Sequence, residues 1–356
     1  MRRALLVAIA LLAACGAPDG GGEAVEFTIP VGASFAEVTD TLVARGLVGN
    51  RQIFTLRARL RGADREIRSG RYSVARDSGT PTLLDILTEG RVMTVTVTIP
   101  EGWTLRQIAP RLAAITGDST AAVLDTLTAD SAHLRWGVPG PGLEGYLFPD
   151  TYRFADGIAL EHVLAEMIRA YRRFWTPERR AALDSLPFDE REVVTVASIL
   201  EAEATFDDEM PTIASVYWNR VRDGWLLQAD PTVLYALGGT RERLLFAMID
   251  SVADHPYNTY TQPGLPPGPI GAPGAAALAA ALDPAETDYY YFVADARGRH
   301  IFSRTLAEHN AAAAEYRRRT FSPEGERESA PEGGAEPEAE GGAEPEAERM
   351  PWDPDA

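Results

Sequence analysis

Two stretches of the chain, seventy residues apart, repeat one pattern, and that repetition constrains the fold more than any other feature of the sequence. Residues 28–38 run Thr28-Ile29-Pro30-Val31-Gly32-Ala33-Ser34-Phe35-Ala36-Glu37-Val38. Residues 98–108 run Thr98-Ile99-Pro100-Glu101-Gly102-Trp103-Thr104-Leu105-Arg106-Gln107-Ile108. Each reads as a strand, a Pro/Gly turn and a helix start. Ser34 with Glu37, and Thr104 with Gln107, have the capping-box spacing in which the hydroxyl and the later side chain satisfy each other's backbone N–H groups. The first helix is expected to continue through Leu42 and to close at Gly46. Val92–Ile99 alternates apolar residues with Thr, the period of a half-buried strand. The N-terminal third is therefore a small α+β module.

Beyond about Ile158 the period changes to that of helices. Apolar residues recur at three and four through Ile158–Phe174. A second helix is expected over Asp189–Ala204, after the Leu186-Pro187 break, with Asp189 and Glu192 forming its own capping box. A third spans about Met210–Arg222 and carries Ile213, Val216, Tyr217 and Val221. After Gly238 come a Pro/Gly-rich stretch, a helix through Gly274–Leu282, a strand over Tyr289–Ala294 and a last helix from about Thr305. The fold class is α+β, with a helix-dominated C-terminal domain. The expected divisions are 1–15, 16–24, 25–96, 97–155, 156–320 and 321–356.

The two ends carry signals of their own. Met1-Arg2-Arg3, the apolar run Ala4–Ala14 and Cys15-Gly16 match a secretory signal, and the run is too short to span a bilayer. Leu12-Ala13-Ala14-Cys15 resembles the lipobox at which bacterial lipoproteins are cleaved and lipidated, so Cys15 is the expected membrane anchor. The alternative is an ordinary signal peptide with an incidental Cys. Cys15 is also the only cysteine, which excludes a disulfide in the mature chain. At the other end, residues 333–340 recur at 341–348 in a Pro/Glu/Gly tract that buries too little apolar surface to order. The net charge of −18 is concentrated there: residues 323–356 hold 12 acidic residues and two Arg. What remains is mildly acidic and lacks the basic footprint of a nucleic-acid binder.

Periodicity singles out one carboxylate. Glu201 falls four and eight residues after Ala197 and Val193, on the apolar stripe of its helix, so it points inward. An apolar wall disfavours the anion and raises the pKa, the state a general acid needs near neutrality. Glu203 lies about 200° round the helix and reads as solvent-facing or as a helper. On periodicity alone a hydrogen-bonded structural Glu201 is the commoner explanation. Other chemistries have less support. The five His residues (133, 162, 255, 300 and 309) form no His-x-x-x-His or His-Glu-x-x-His pair, so no metal is expected. There is no Gly-x-Ser-x-Gly elbow, P-loop or dinucleotide fingerprint, and no cofactor is expected. Leu227–Thr232, Tyr257–Tyr260 and Gly264–Ile270 read as rigid turns bearing Tyr, Asn, Gln and Thr, suited to a sugar groove or simply to well-packed loops.

Several of these runs, in order, resemble the endolytic murein transglycosylases of the MltG (YceG-like) family. They are Leu143–Tyr152, Ala197–Glu203, Gln228–Tyr235, Tyr257–Tyr260, Gly264–Ile270 and Tyr291–Asp295, with His300, Phe302, His309 and Asn310. The resemblance covers roughly Val25–Arg319. It implies a LysM-like module, which suits the unit around Thr98–Leu112, and a catalytic domain whose acid is the first Glu of the Glu-x-Glu run, Glu201. Glu203, Asn219, Gln228, Asp230, Thr232, Tyr235, Tyr257, Asn258, Thr259 and Tyr260 are the expected supporting or substrate-binding residues. Peptidoglycan glycan strands are the implied substrate, peptidoglycan synthases the implied partners, and the cell envelope the implied location. The lipobox departs from the transmembrane helix usual in the family. Two rival readings stay open: a lysozyme-like hydrolase pairing Glu201 with Asp230, and a non-catalytic peptidoglycan-binding scaffold.

Overall fold

A computed structural model describes residues 23–239, 244–295 and 297–320. The export signal with Cys15 and the acidic tail lie outside these residues. The described residues form two compact units, one built on residues up to 95 with 153–158, the other on 96–152 and from 159 onward. The architecture is mixed α+β, with strands in three two-stranded sheets among the described residues.

The first unit contains β1 (Ala24–Ile29), α1 (Phe35–Ala44), α2 (Arg51–Leu60), β2 (Gly70–Ala75) and α3 (Gly79–Glu89). β1 and β2 pair antiparallel with Phe27 opposite Tyr72, and the two rings stack at 5.6 Å. Alternation along β1 puts Val25, Phe27 and Ile29 on one buried face, from which Phe27 and Ile29 join a core with Leu42, Phe54, Leu83 and Leu87. The Ser34–Glu37 capping box forms as expected. α1 ends at Ala44 with Arg45 as its cap, and Gly46 then takes the left-handed conformation.

The repeat holds as structure. β3 (Thr94–Ile99), α4 (Leu105–Thr116), α5 (Thr120–Thr128), α6 (Ala132–Trp136) and β4 (Asp150–Ala155) again run strand, helices, strand, and β3 pairs with β4. The Thr104–Gln107 capping box opens α4.

The remaining elements are α7 (Leu160–Phe174), α8 (Pro177–Ser185), α9 (Glu190–Glu203), α10 (Met210–Arg222), α11 (Asp230–Ala236), α12 (Phe246–Ser251), α13 (Ala275–Leu282), β5 (Tyr291–Ala294), β6 (His300–Ser303) and α14 (Leu306–Thr320). At their centre is α9. The Asp189–Glu192 capping box starts it, and every residue from Val193 to Leu200 is buried. A helix buried on all sides belongs inside a core, and α10 and α13 cover this one. Trp218 of α10 donates its indole N–H to the Ala281 carbonyl at 2.9 Å and stacks on Phe188 at 3.9 Å.

Two expectations are corrected. Leu227–Thr232, read as a turn, becomes helical from Asp230, where α11 begins. Pro231 stands in its first turn, where the missing N–H has no helical partner to lose. The strand expected from Tyr289 begins at Tyr291, because the Tyr290 carbonyl is taken by the Arg220 Nε–H at 2.7 Å.

The turn before α4 is zipped to a second segment of its unit. The Gly102 N–H donates to the Ala272 carbonyl at 2.8 Å, and the Ala272 N–H returns to the Trp103 carbonyl at 2.9 Å. The approach is so close that a Cβ at Gly271 would lie 2.5 Å from the Gly102 carbonyl oxygen, a backbone atom with no freedom to move aside. Gly271→Ala is therefore expected to destabilise the protein by about 1–3 kcal/mol, seen as a lower denaturant midpoint at unchanged m-value.

Candidate active site

α9 leaves the core at its C-terminal end, and its last turn carries both acids. They sit on opposite sides of the helix, as a separation of two residues requires, and so occupy different environments.

Glu201 is half-buried, and its Oε2 accepts the backbone N–H of Gly274 at 2.9 Å. Burial raises its pKa above the usual carboxylate value. The Gly274 N–H pulls the other way, and the nearby charges of Glu101 and Asp207 add to the rise. The Glu101 side chain packs directly on Gly274, so closely that a Cβ there would overlap its carboxyl. Glu101 belongs to the turn zipped to Ala272. The acid, its hydrogen-bond donor and a second carboxylate are thus brought together by α9, the segment before α13, and the turn before α4.

Glu203 is not solvent-facing. It is half-buried, and Tyr217 of α10 donates its hydroxyl to Oε1 at 3.2 Å. Burial, with Asp230 nearby, pushes it up to about 7, against the Tyr217 hydrogen bond and the Arg220 charge. Asp230 opens α11 at the exposed rim and accepts the Tyr260 hydroxyl at 2.5 Å. Surrounding protein raises its pKa too, and that hydrogen bond opposes the rise. Arg220 is buried below, donating to the Leu227 carbonyl at 2.6 Å.

The other expected residues divide into two groups. Tyr235, Tyr257 and Tyr260 are half-buried, with rings available to a ligand, and Tyr235 and Tyr257 lie 4.9 Å apart. Burial raises the Tyr257 phenol to about 12, so it stays a neutral donor. Thr232, Asn258 and Thr259 are sealed inside and hold backbone. Thr232 and Thr259 share a 2.8 Å hydroxyl bond, and Asn258 Nδ2 donates to the Ile249 carbonyl at 2.9 Å. Gln228 takes a left-handed backbone conformation, φ 48°, with its N–H on the Thr259 carbonyl at 3.0 Å, a local strain common at ligand sites. Asn219 is buried and fastens the Thr287 and Tyr289 carbonyls at 2.9 and 3.0 Å. It makes no hydrogen bond to either acid of α9.

Glu101, Glu144, Tyr217 and Gly274 were missed as site residues. Glu101 had a legible signal, since the first repeat carries Val31 at the same place. Glu144 stands within the Leu143–Tyr152 run. Among the described residues no group of three or more His, Cys, Asp or Glu is arranged to hold a metal, and no helix is long and apolar enough to cross a membrane.

Residues 27–315 match the model of the YceG-like family. The chain is 33% identical over 311 residues to an endolytic murein transglycosylase of Bacillus subtilis, covering 82% of this chain and 84% of that protein. It is 30% identical over 318 residues to an endolytic murein transglycosylase of Streptococcus pneumoniae, covering 81% of this chain and 57% of that longer protein. A crystal structure of a YceG-like protein from Listeria monocytogenes superposes with a TM-score of 0.56 at 32% identity, over 82% of this chain and 99% of that one. The chain belongs to the YceG-like family.

The environment of Glu203 makes stability depend on pH. Its folded pKa of about 7 lies above the ordinary 4.5, so the fold favours the neutral acid. Its contribution is complete below pH 4.5 and is lost as pH rises through 7. Glu203→Gln keeps the shape without the charge, so its Tm relative to wild type is expected to climb between pH 4.5 and 7 and level off above. Differential scanning calorimetry across that range checks it.

Proposed function

We propose that the protein is an endolytic lytic transglycosylase that cleaves the β-1,4 bond between N-acetylmuramic acid and N-acetylglucosamine within glycan strands, with Glu201 as its acid. The observation that carries the reading is the placement of Glu201. It is a half-buried carboxyl with raised pKa, fixed by one backbone N–H at the end of a buried helix, in a chain of the YceG-like family. The names of the Bacillus and Streptococcus relatives support the substrate class.

In this mechanism protonated Glu201 gives its proton to the leaving glycosidic oxygen as positive charge develops at C1 of the muramic ring. The carboxylate left behind takes the proton of that sugar's C6 hydroxyl, whose oxygen closes on C1 to form a 1,6-anhydro end. The proton balance closes on one residue and no water enters. The Gly274 N–H holds the carboxylate between the two transfers. Glu101 and Asp207 make the anion less favourable and keep the acid loaded at higher pH. Tyr257 and Tyr235 offer aromatic faces and hydroxyls to the sugars. The hydrolase alternative needs an ionised second carboxylate. Asp230 suits that role poorly, since burial raises its pKa despite the hydrogen bond from Tyr260 that opposes the rise.

The unit at 94–155, three helices between two paired strands, with its counterpart at 24–75, supports a LysM-like role in holding glycan. Cleavage of nascent strands would limit their elongation beside the synthases, at a cell-envelope location reached by the N-terminal signal.

Mass spectrometry of uncrosslinked strands digested by the mature protein tests the reaction. Anhydro-muramic ends are expected from wild type, with about 10²–10⁴-fold less product from Glu201→Gln, the range of general acid catalysis. Reducing ends in their place would establish hydrolysis, and an Asp230→Asn loss as deep as that of Glu201→Gln would say the same. The pH profile offers a second check. Activity falls as pH rises through the Glu201 pKa, and Glu101→Gln removes a charge that raises it, so the falling limb should move to lower pH.

A further inference from the structure

Glu144 has no part in the steps above, yet it is the most enclosed carboxylate near them. It follows α6 on the connection to β4, is 7% exposed, and bridges two elements that flank the site. On one side the Leu105 N–H, at the start of α4, donates to both its oxygens at 3.0 and 3.2 Å. On the other, Tyr235 of α11 donates its hydroxyl to Oε2 at 3.1 Å. An ordinary helix cap is met by water or by its own turn; this one is sealed and reaches across to a different helix.

What it clamps leads to Glu201. Leu105 directly follows the turn Glu101–Thr104, whose backbone is paired with Ala272, and two residues on the Gly274 N–H holds Glu201. In the other direction Tyr235 lies against Tyr257, whose hydroxyl sits beside Gly268. We propose that Glu144 is a positioning residue, registering the turn that carries Glu101, and through Ala272 the Gly274 donor of Glu201, against the Tyr235–Tyr257 pair. The inference rests on the transglycosylase reading and deepens it.

Burial pushes Glu144 up to about 8; the Leu105 N–H, the Tyr235 hydroxyl and the Arg106 charge all act against the rise. The remaining titratable neighbour is the Tyr257 phenol, which Glu144 itself helps to keep neutral. The clamp is thus favoured as a neutral acid at pH 7, accepting from the Leu105 N–H and the Tyr235 hydroxyl. Gln has its shape and keeps an acceptor for the Leu105 N–H.

The tests are steady-state kinetics of Glu144→Gln and Glu144→Ala on uncrosslinked strands from pH 5 to 9, with thermal unfolding of each. In wild type, log(kcat/KM) is expected to fall with unit slope beyond the Glu201 limb and to steepen above about pH 8 as Glu144 ionises. Glu144→Gln should match wild type at pH 6 and keep unit slope throughout. Glu144→Ala should lose kcat by about tenfold or more, since an acid misplaced by about 1 Å loses ~10²-fold. Retention of wild-type kcat by Glu144→Ala, or the same steepening in Glu144→Gln, would overturn the proposal. If Glu144→Ala does not fold, the slope in Glu144→Gln decides. Unfolding needs no activity: the Tm of Glu144→Gln relative to wild type should climb from pH 4.5 to 8, and a constant difference would overturn the proposal even if wild type yields no anhydro ends.

Discussion

A helix enclosed on every side fixes whatever stands at its end. Val193–Leu200 of α9 present no face to solvent, and a close-packed interior resists the small slides and rotations that a surface helix permits. Ser198 adds a directional tie, accepting the Ile270 N–H at 3.0 Å while donating to the Thr195 carbonyl at 2.7 Å. The segment supplying the Gly274 donor is therefore bonded to the same helix that carries Glu201. Acid and donor share one frame, and their separation is set by the core rather than by loop packing.

That frame gives two glutamates, two residues apart, different work. Helix C-termini favour cations, so an acid in the last turn of α9 is poorly placed as an anion even before burial. Glu201 faces a backbone N–H and two further carboxylates; Glu203 faces a phenol, a buried guanidinium and Asp230. One helical turn thus holds one carboxyl oriented by a single fixed donor and another in a polar network that includes the rim. A change in charge at the first need not disturb the second, because their hydrogen-bond partners come from different elements.

Much of this was legible in the sequence. The repeat gave both strand–turn–helix units, because capping boxes and Pro/Gly turns are local and their geometry does not wait on the rest of the chain. Spacing from Ala197 and Val193 turned Glu201 inward, and it is half-buried, although the stripe was the wrong picture: the middle of α9 is buried all round, and Glu201 stands where the helix is leaving the core. The solvent-facing alternative for Glu203 failed for the same reason, since a helical wheel assigns one wet side and Val193–Leu200 has none. The helix start at Asp230–Thr232 hid in the Leu227–Thr232 turn because Pro231 reads as a breaker unless it is placed in a helix's first turn. The buried Thr232, Asn258 and Thr259 look like ligand contacts in a sequence, and only burial shows that their polar groups are spent on backbone. Glu144 was out of reach, because its partners lie in α4 and α11 and no local pattern links them.

The donor to Glu201 is a main-chain N–H, and a main-chain group is common to every residue type except proline. Substitution at position 274 therefore leaves the donor chemically intact. The crowding there comes from a neighbouring side chain, since the Glu101 carboxyl lies where a Cβ would stand and would have to swing aside. A chain with a shorter side chain at 101 would tolerate alanine at 274. The two positions are expected to drift as a pair, leaving a covariation signal between a turn and a distant loop in which neither residue has to touch substrate.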